Sequence, residues 1–282
     1  MAIASVATVV APTGGSLADQ YPGSLLDDGV NTGTSVRNAV SATANVTPHA
    51  DGTYVEIDPS LSADASGVFI YIVAAISNAA TDTSTLLEIA TGAAASEVAW
   101  ATVAVGYRTG DAAVFVPGFI ASGTRVAVRV RSAVSLQAVS AQYEFLPATK
   151  SVDPPAPTSM GVVTAASRGT TVTAPGSLNT KGAWTEIVAS TAADFENLYV
   201  GPQGVGGTTM SGSGVLLDIG IGAAAAETVL IGGIYLAGNA SEYYRTASPL
   251  TYGVTIPAGS RLSARYARAN ANNAVDVLLV GA

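Results

Sequence analysis

The chain has no cysteine among its 282 residues. That excludes a disulfide, a thiolate nucleophile and a zinc site built on thiolates, and it fits a cytosolic place of assembly. It has one histidine, His49, in the loop-like segment PHADG. A transition-metal site would therefore need carboxylates alone, and a Ser–His–Asp arrangement would need a distant serine that no G-x-S-x-G frames. His49 is read as a solvated loop residue. Charge is scarce too: 11% of residues carry it, less than half of the usual quarter. The net charge of −8 argues against binding nucleic acid through its phosphates, which needs a basic surface. No run approaches 18 uninterrupted apolar residues, so no membrane-spanning helix and no membrane partner are expected. The N-terminal AIASVATVVA lacks the positive flank of a secretory signal, the first basic residue being Arg37.

What is abundant is small and neutral. Alanine, glycine, valine, serine and threonine dominate, a composition that favours short strands and many turns over long amphipathic helices. The chain also repeats itself. LLEIATGAAASE begins at residue 86 and LLDIGIGAAAAE at residue 216, 130 residues later and without an internal gap. At the same offset Gly52 meets Gly182, Tyr54 meets Trp184, Glu56-Ile57 meets Glu186-Ile187, and Ala63-Asp64 meets Ala193-Asp194. Beyond the alanine phrase Tyr107-Arg108-Thr109 returns as Tyr244-Arg245-Thr246, 137 residues on, so the second copy carries an insertion near AGNASE. Ile120, Gly123, Arg125 and Arg129 return 136 residues on as Ile256, Gly259, Arg261 and Arg265. Self-similarity at a fixed offset is read before any other fold signal. It predicts two copies of one domain.

The stretch PATKSVDPPAPTSM, with four prolines, separates them as an extended spacer. The expected organisation is an N-terminal arm over 1–30, a first domain over 31–147, a proline-rich linker over 148–160 and a second domain over 161–282. Within each copy the pattern is β. RVAVRVR alternates strictly, with Val126, Val128 and Val130 on one side and Arg125, Arg129 and Arg131 on the other. RLSARYAR keeps the alternation with Leu262, Ala264 and Tyr266 opposite Arg261 and Arg265. Six to eight short strands in such a length predict an all-β fold of two tandem β-sandwich, jelly-roll-like domains. GAAAAE is too short for an isolated helix and is read as a tight loop or single helical turn.

The acids Glu56/Glu186, Asp64/Asp194, Glu88/Asp218 and Glu97/Glu227 recur in both copies. A carboxylate pair could serve glycoside hydrolysis, or a group of them could bind calcium. A duplicated fold more simply keeps them as partners for its arginines, and no catalytic residue, cofactor or metal ligand is assigned. The chain has ten arginines against two lysines, Lys150 and Lys181. Arginine's planar fork suits charges paired inside a contact. Arg125, Arg129, Arg261 and Arg265 therefore either line a contact between subunits or domains, or form a ladder paired within their own sheet. Arg108 joins them by the repeat, and Tyr243, Tyr244 and Arg245 combine residue types common at interfaces and at sugar-stacking sites.

WTEIVASTAADFENLYV, LLDIGIGAAAAETVLI and VTIPAGSRLSAR, in that order, resemble a β-sandwich module of virion proteins of tailed bacteriophages. The resemblance covers about residues 182 to 268 well and the first half more loosely, where Tyr54 replaces the tryptophan and SGTR replaces PAGSR. It implies a non-enzymatic structural protein of the virion, assembled in the host cytoplasm. The reading favoured here is a capsid decoration or cement protein, contacting the major capsid protein and copies of itself as a trimer. The alternative is a tail or fibre component binding a host-surface glycan through Tyr243, Tyr244 and Arg245. A polysaccharide-degrading enzyme is the third reading.

Overall fold

The computed structural model describes residues 39–76, 85–105, 112–148, 156–162, 168–205, 215–239, 242–246, 251–268 and 274–282. The arm expected over 1–30 lies outside them. Among the described residues eight strands precede the proline-rich stretch: β1 (Val40–Thr43), β2 (Val55–Asp58), β3 (Ala65–Ile76), β4 (Thr85–Thr91), β5 (Val98–Val105), β6 (Ala112–Ile120), β7 (Val126–Ser132) and β8 (Ala138–Pro147). A short β9 (Thr158–Met160) follows, so the last residues of that stretch are themselves a strand. Then come β10 (Thr170–Thr173), β11 (Thr185–Val188), β12 (Phe195–Gly204), β13 (Val215–Ile221), β14 (Thr228–Asn239), β15 (Glu242–Thr246), β16 (Thr251–Ile256), β17 (Leu262–Arg268) and β18 (Ala274–Gly281). The fold is all-β.

The strands form four antiparallel sheets. In the N-terminal half the orders are β1-β8-β3-β6 and β2-β7-β4-β5. First strand beside last, and second beside seventh, is the arrangement of an eight-stranded jelly roll, two sheets wound by Greek-key connections. The C-terminal half shows β10-β18-β12-β16, with β9 added beside β18, and β11-β17-β13-β14-β15. Setting aside β9 and β15, that is the same order. β15 follows the segment where the sequence places its insertion, and it pairs with the far end of β14.

Alternation selects the core. Along β8, Val139, Ala141, Tyr143 and Phe145 are buried while their neighbours are not. They meet Leu87, Ile89, Val126, Val128 and Val130 of the facing sheet in one apolar cluster. The second cluster takes Leu217, Ile219, Leu262, Ala264 and Tyr266 from one sheet and Leu198, Val200, Val275, Val277 and Leu279 from the other. The valines of RVAVRVR thus point inward and its arginines outward, as the alternation requires.

β18 departs from this. All of its residues from Val275 to Gly281 are buried, so its outer face is covered as well. What covers it is the other half. Tyr199 of β12 and Val280 of β18 belong to the apolar cluster of the N-terminal jelly roll. The Tyr199 hydroxyl donates to the Ala104 carbonyl at 3.1 Å, Thr251 Oγ1 donates to the Phe115 carbonyl at 2.8 Å, and the Thr102 N–H donates to Ser159 Oγ at 3.2 Å.

Candidate functional site

The outward arginines find their partners locally. Arg125 immediately precedes β7, beside the turn that joins β4 to β5. Its Nε donates to Glu56 Oε2 at 2.8 Å, and its Nη1 reaches Glu97 Oε1 at 3.0 Å and the Gly92 carbonyl at 3.2 Å. Arg261 repeats this on Glu186 at 2.7 Å, Glu227 at 2.8 Å and the Gly222 carbonyl at 3.3 Å. One guanidinium fork thus clamps a turn to a neighbouring strand. The turn is the alanine phrase: Ser96 N–H returns to Ala93 O at 3.0 Å, and Ala226 N–H to Ala223 O at 2.9 Å. Gly92 and Gly222 stand at φ of 108° and 123°, which explains why this glycine is kept in both copies. A Glu227 carboxyl buried beside the clamp would be pushed up by desolvation, but its own N–H and Arg261 outweigh that and hold it below the usual range.

One turn along the sheet, Arg129 bonds Glu88 at 2.7 Å and Asp51 at 3.0 Å. Its guanidinium lies 4.6 Å from the centre of the Tyr54 ring, and the Tyr54 hydroxyl donates to Glu88. Arg265 bonds Asp218 at 3.1 Å and lies 4.3 Å from the Trp184 ring, a cation–π geometry in both cases. The indole cannot serve the carboxylate as the phenol does, and other donors take its place. Lys181 Nζ reaches Asp218 at 2.8 Å and the Gly233 N–H reaches it at 2.9 Å. Burial pushes the Asp218 carboxyl up, yet these bonds together with Arg265 hold it below the ordinary carboxylate range. Trp184 also explains a glycine: a Cβ on Gly220 would lie 2.7 Å from the indole. In the first copy the smaller Tyr54 stands with Ala90 at that position.

The remaining repeated acids cap turns. Asp64 accepts from the Ser122 N–H at 2.7 Å and Asp194 from the Ala258 N–H at 2.6 Å. Every carboxylate that recurs between the copies is therefore engaged by a cation or an N–H of its own half. Arg125, Arg129, Arg261 and Arg265 each find a carboxylate partner within their own half. Arg108 lies outside the described residues. Tyr243, Tyr244 and Arg245 lie on β15, whose backbone pairs with β14; their side chains lie outside the described residues.

His49 is half-buried rather than solvated. It takes φ of 65° and its N–H donates to the Ser132 carbonyl at 2.7 Å; Asn179 does the same at 56°, donating to Arg268 at 2.7 Å. Histidine and asparagine tolerate this left-handed conformation better than most residues, so the pair marks a backbone shape. Burial, then Arg168 and Arg131, lower the His49 pKa and keep it neutral. Arg168 is a residue the sequence did not single out. It is fully buried between the halves, donates to the Arg131 carbonyl at 3.2 Å, and its pKa is pushed by burial down to about 10, so it stays a cation at neutral pH.

Among the described residues no three His, Asp or Glu side chains gather closely enough to hold a metal ion. What the surface offers chemically is different: neutralised charge ladders, and an outer sheet face on the C-terminal half where Leu216, Val229 and Tyr235 are exposed. No protein-family model matches the chain, and no curated protein matches it in sequence.

Proposed function

We propose that the chain is a structural protein of a bacteriophage virion, a decoration or cement protein that stabilises the head. The observation that carries this reading is the combination of paired jelly rolls with charges that are spent on one another and apolar side chains left facing out. A fold of this kind recurs in viral capsids, a fold-level analogy that agrees with the resemblance of residues 182 to 268 to virion modules. The two jelly rolls arose by duplication on this reading, and the clamps keep both turns in shape. Partners are the major capsid protein and further copies of the same chain, a trimer being the expected unit. Several modest apolar contacts per copy would then add through multivalency rather than through one tight site.

The experiment is a count and a stress test. Purified particles should carry hundreds of copies, located on the head by imaging, and heads stripped of the protein should open at lower temperature. Stripped heads with unchanged heat resistance would sink the cement role. A handful of copies at the tail, with host-cell binding lost in Tyr243→Ala and Tyr244→Ala, would establish the adhesin instead. Release of reducing sugar ends by the isolated protein would remove both readings.

A further inference from the structure

The seam between the halves is apolar at one end and charged at the other. At the apolar end Tyr199 and Val280 stand opposite each other on β12 and β18, and the Tyr199 hydroxyl donates to Ala104. Gly201 and Leu278 form the next outward pair, and Gln203 and Asp276 the one after. Both of these last residues are fully buried. Arg168 joins them at the charged end. Its carbonyl accepts from Gln203 Nε2 at 3.4 Å, and its guanidinium crosses the seam to the Arg131 carbonyl at 3.2 Å.

The first half brings charges of its own to this place. Arg131 Nε donates to Asp51 at 2.6 Å, and Asp51 also takes Arg129 at 3.0 Å, with Glu88 beyond it. His49 lies two residues before Asp51, and its N–H donates to the carbonyl of Ser132, the residue after Arg131. Across the seam Asp276 accepts from Thr171 Oγ1 at 2.6 Å. Among the described residues, the charged groups around the imidazole are thus Asp51, Arg129 and Arg131 from the first half, and Arg168 and Asp276 from the second. His49 Nδ1 is buried and meets no hydrogen-bond partner among them. A proton there makes a buried N–H without an acceptor and sets another positive charge beside Arg131 and Arg168. Arg168 has nothing to spare for it: its Nε and Nη2 are buried and without a partner too.

We propose that the charged end of the seam is an acid-sensitive catch: a proton on His49 loosens the joint and lets the two jelly rolls part. Burial, then Arg168 and Arg131, hold the imidazole below its ordinary value in the closed form. Parting removes Arg168, so the open form binds the proton more tightly, and acid favours it by linkage. The joint is at full strength above about pH 6.5, the value of a free imidazole. It weakens as pH falls from there to the lowered value, the open-to-closed ratio rising about tenfold for each pH unit between the two. Parting uncovers the outer face of β12 and β18, where Tyr199, Leu278 and Val280 are fully buried in the closed form. The second copy has no such catch, because Asn179 takes the same backbone shape in place of His49. This goes beyond the virion reading and does not depend on it.

A single histidine makes the test clean, since its NMR titration in the full chain belongs to His49 alone. The midpoint should lie below about 6.5 and should move up in Arg168→Met, which removes the facing cation. Calorimetry of the full chain then compares about pH 7.5 with about pH 5.5, on either side of the free imidazole, at one ionic strength. The wild-type transition should fall in temperature at the lower pH. On heating there, X-ray scattering should show the particle lengthening before the far-UV signal of the strands is lost. His49→Asn, the residue the second copy uses at this backbone shape, should remove most of the acid shift. A midpoint at or above the free value overturns the proposal. So does an acid shift that His49→Asn leaves intact, or lengthening that coincides with loss of the strands. If either variant fails to fold, the wild-type titration and scattering still decide. Loss of the virion role leaves these results untouched, which separates the two failures.

Discussion

At the residue scale the informative positions are those where the two copies differ in a coupled way. Tyr54 stands with Ala90 and Trp184 with Gly220 because the larger ring occupies the space a methyl would need. Gly220→Ala should therefore destabilise the chain by about 1–3 kcal/mol, the usual cost of overpacking. Trp184→Tyr in the same chain should recover most of it. Additive losses in a urea-melt double-mutant cycle would break the link. Asp218 makes a second case. Its folded pKa is depressed, so the unfolded chain takes up the proton first as pH falls. Its contribution to stability is present above about pH 4, the unfolded value, and is lost as pH drops through the lower folded value. Asp218→Asn should flatten the acid limb of a plot of urea midpoint against pH, and an unchanged limb would show the carboxyl is not held as described.

At the scale of elements, the clamp explains a sequence phrase. The leucine–acid–isoleucine strand, the turn glycine and the closing glutamate recur together because one arginine from a third strand grips all of that turn. Of its two carboxylates, Glu186 is 48% exposed and Glu227 only 4%. Exposed pairs are worth about 0–1 kcal/mol, so Glu186→Ala should hardly move the melting curve. Arg261→Ala should move it clearly more, since it strands the covered Glu227 carboxylate and the Gly222 carbonyl. Equal shifts would deny the clamp its role. The sequence made the partners guessable, since acids and arginines recur at constant offsets. It did not reveal which acid meets which arginine, because Glu56 and Arg125 meet across 69 residues of chain.

For the whole molecule the question is whether the halves act as one body. Leu278 lies on the outer face of its own sandwich, where a lone domain would meet water, yet it is fully buried. Leu278→Ala should cost about 2–5 kcal/mol, as at any core leucine, and calorimetry of the full chain should show a single transition. Two separate transitions, with Leu278→Ala near neutral, would mean the halves part in solution.

The sequence alone determined the local terms: all-β structure from alternation and composition, two matched halves from a repeat, inward valines and outward arginines from a period of two. It also held a signal that alternation arguments pass over. AVSAQYEFLP alternates, whereas its counterpart AVDVLLVGA is nearly continuous in apolar residues, the mark of a strand covered on both faces. Only the tertiary structure decided what lies over that strand, that Arg168 is buried at the seam, and that Leu86 is hidden while Leu216 is not. A strand's pattern states which side is apolar, but what covers an outer face comes from a distant part of the chain, and nothing in the local pattern carries that information.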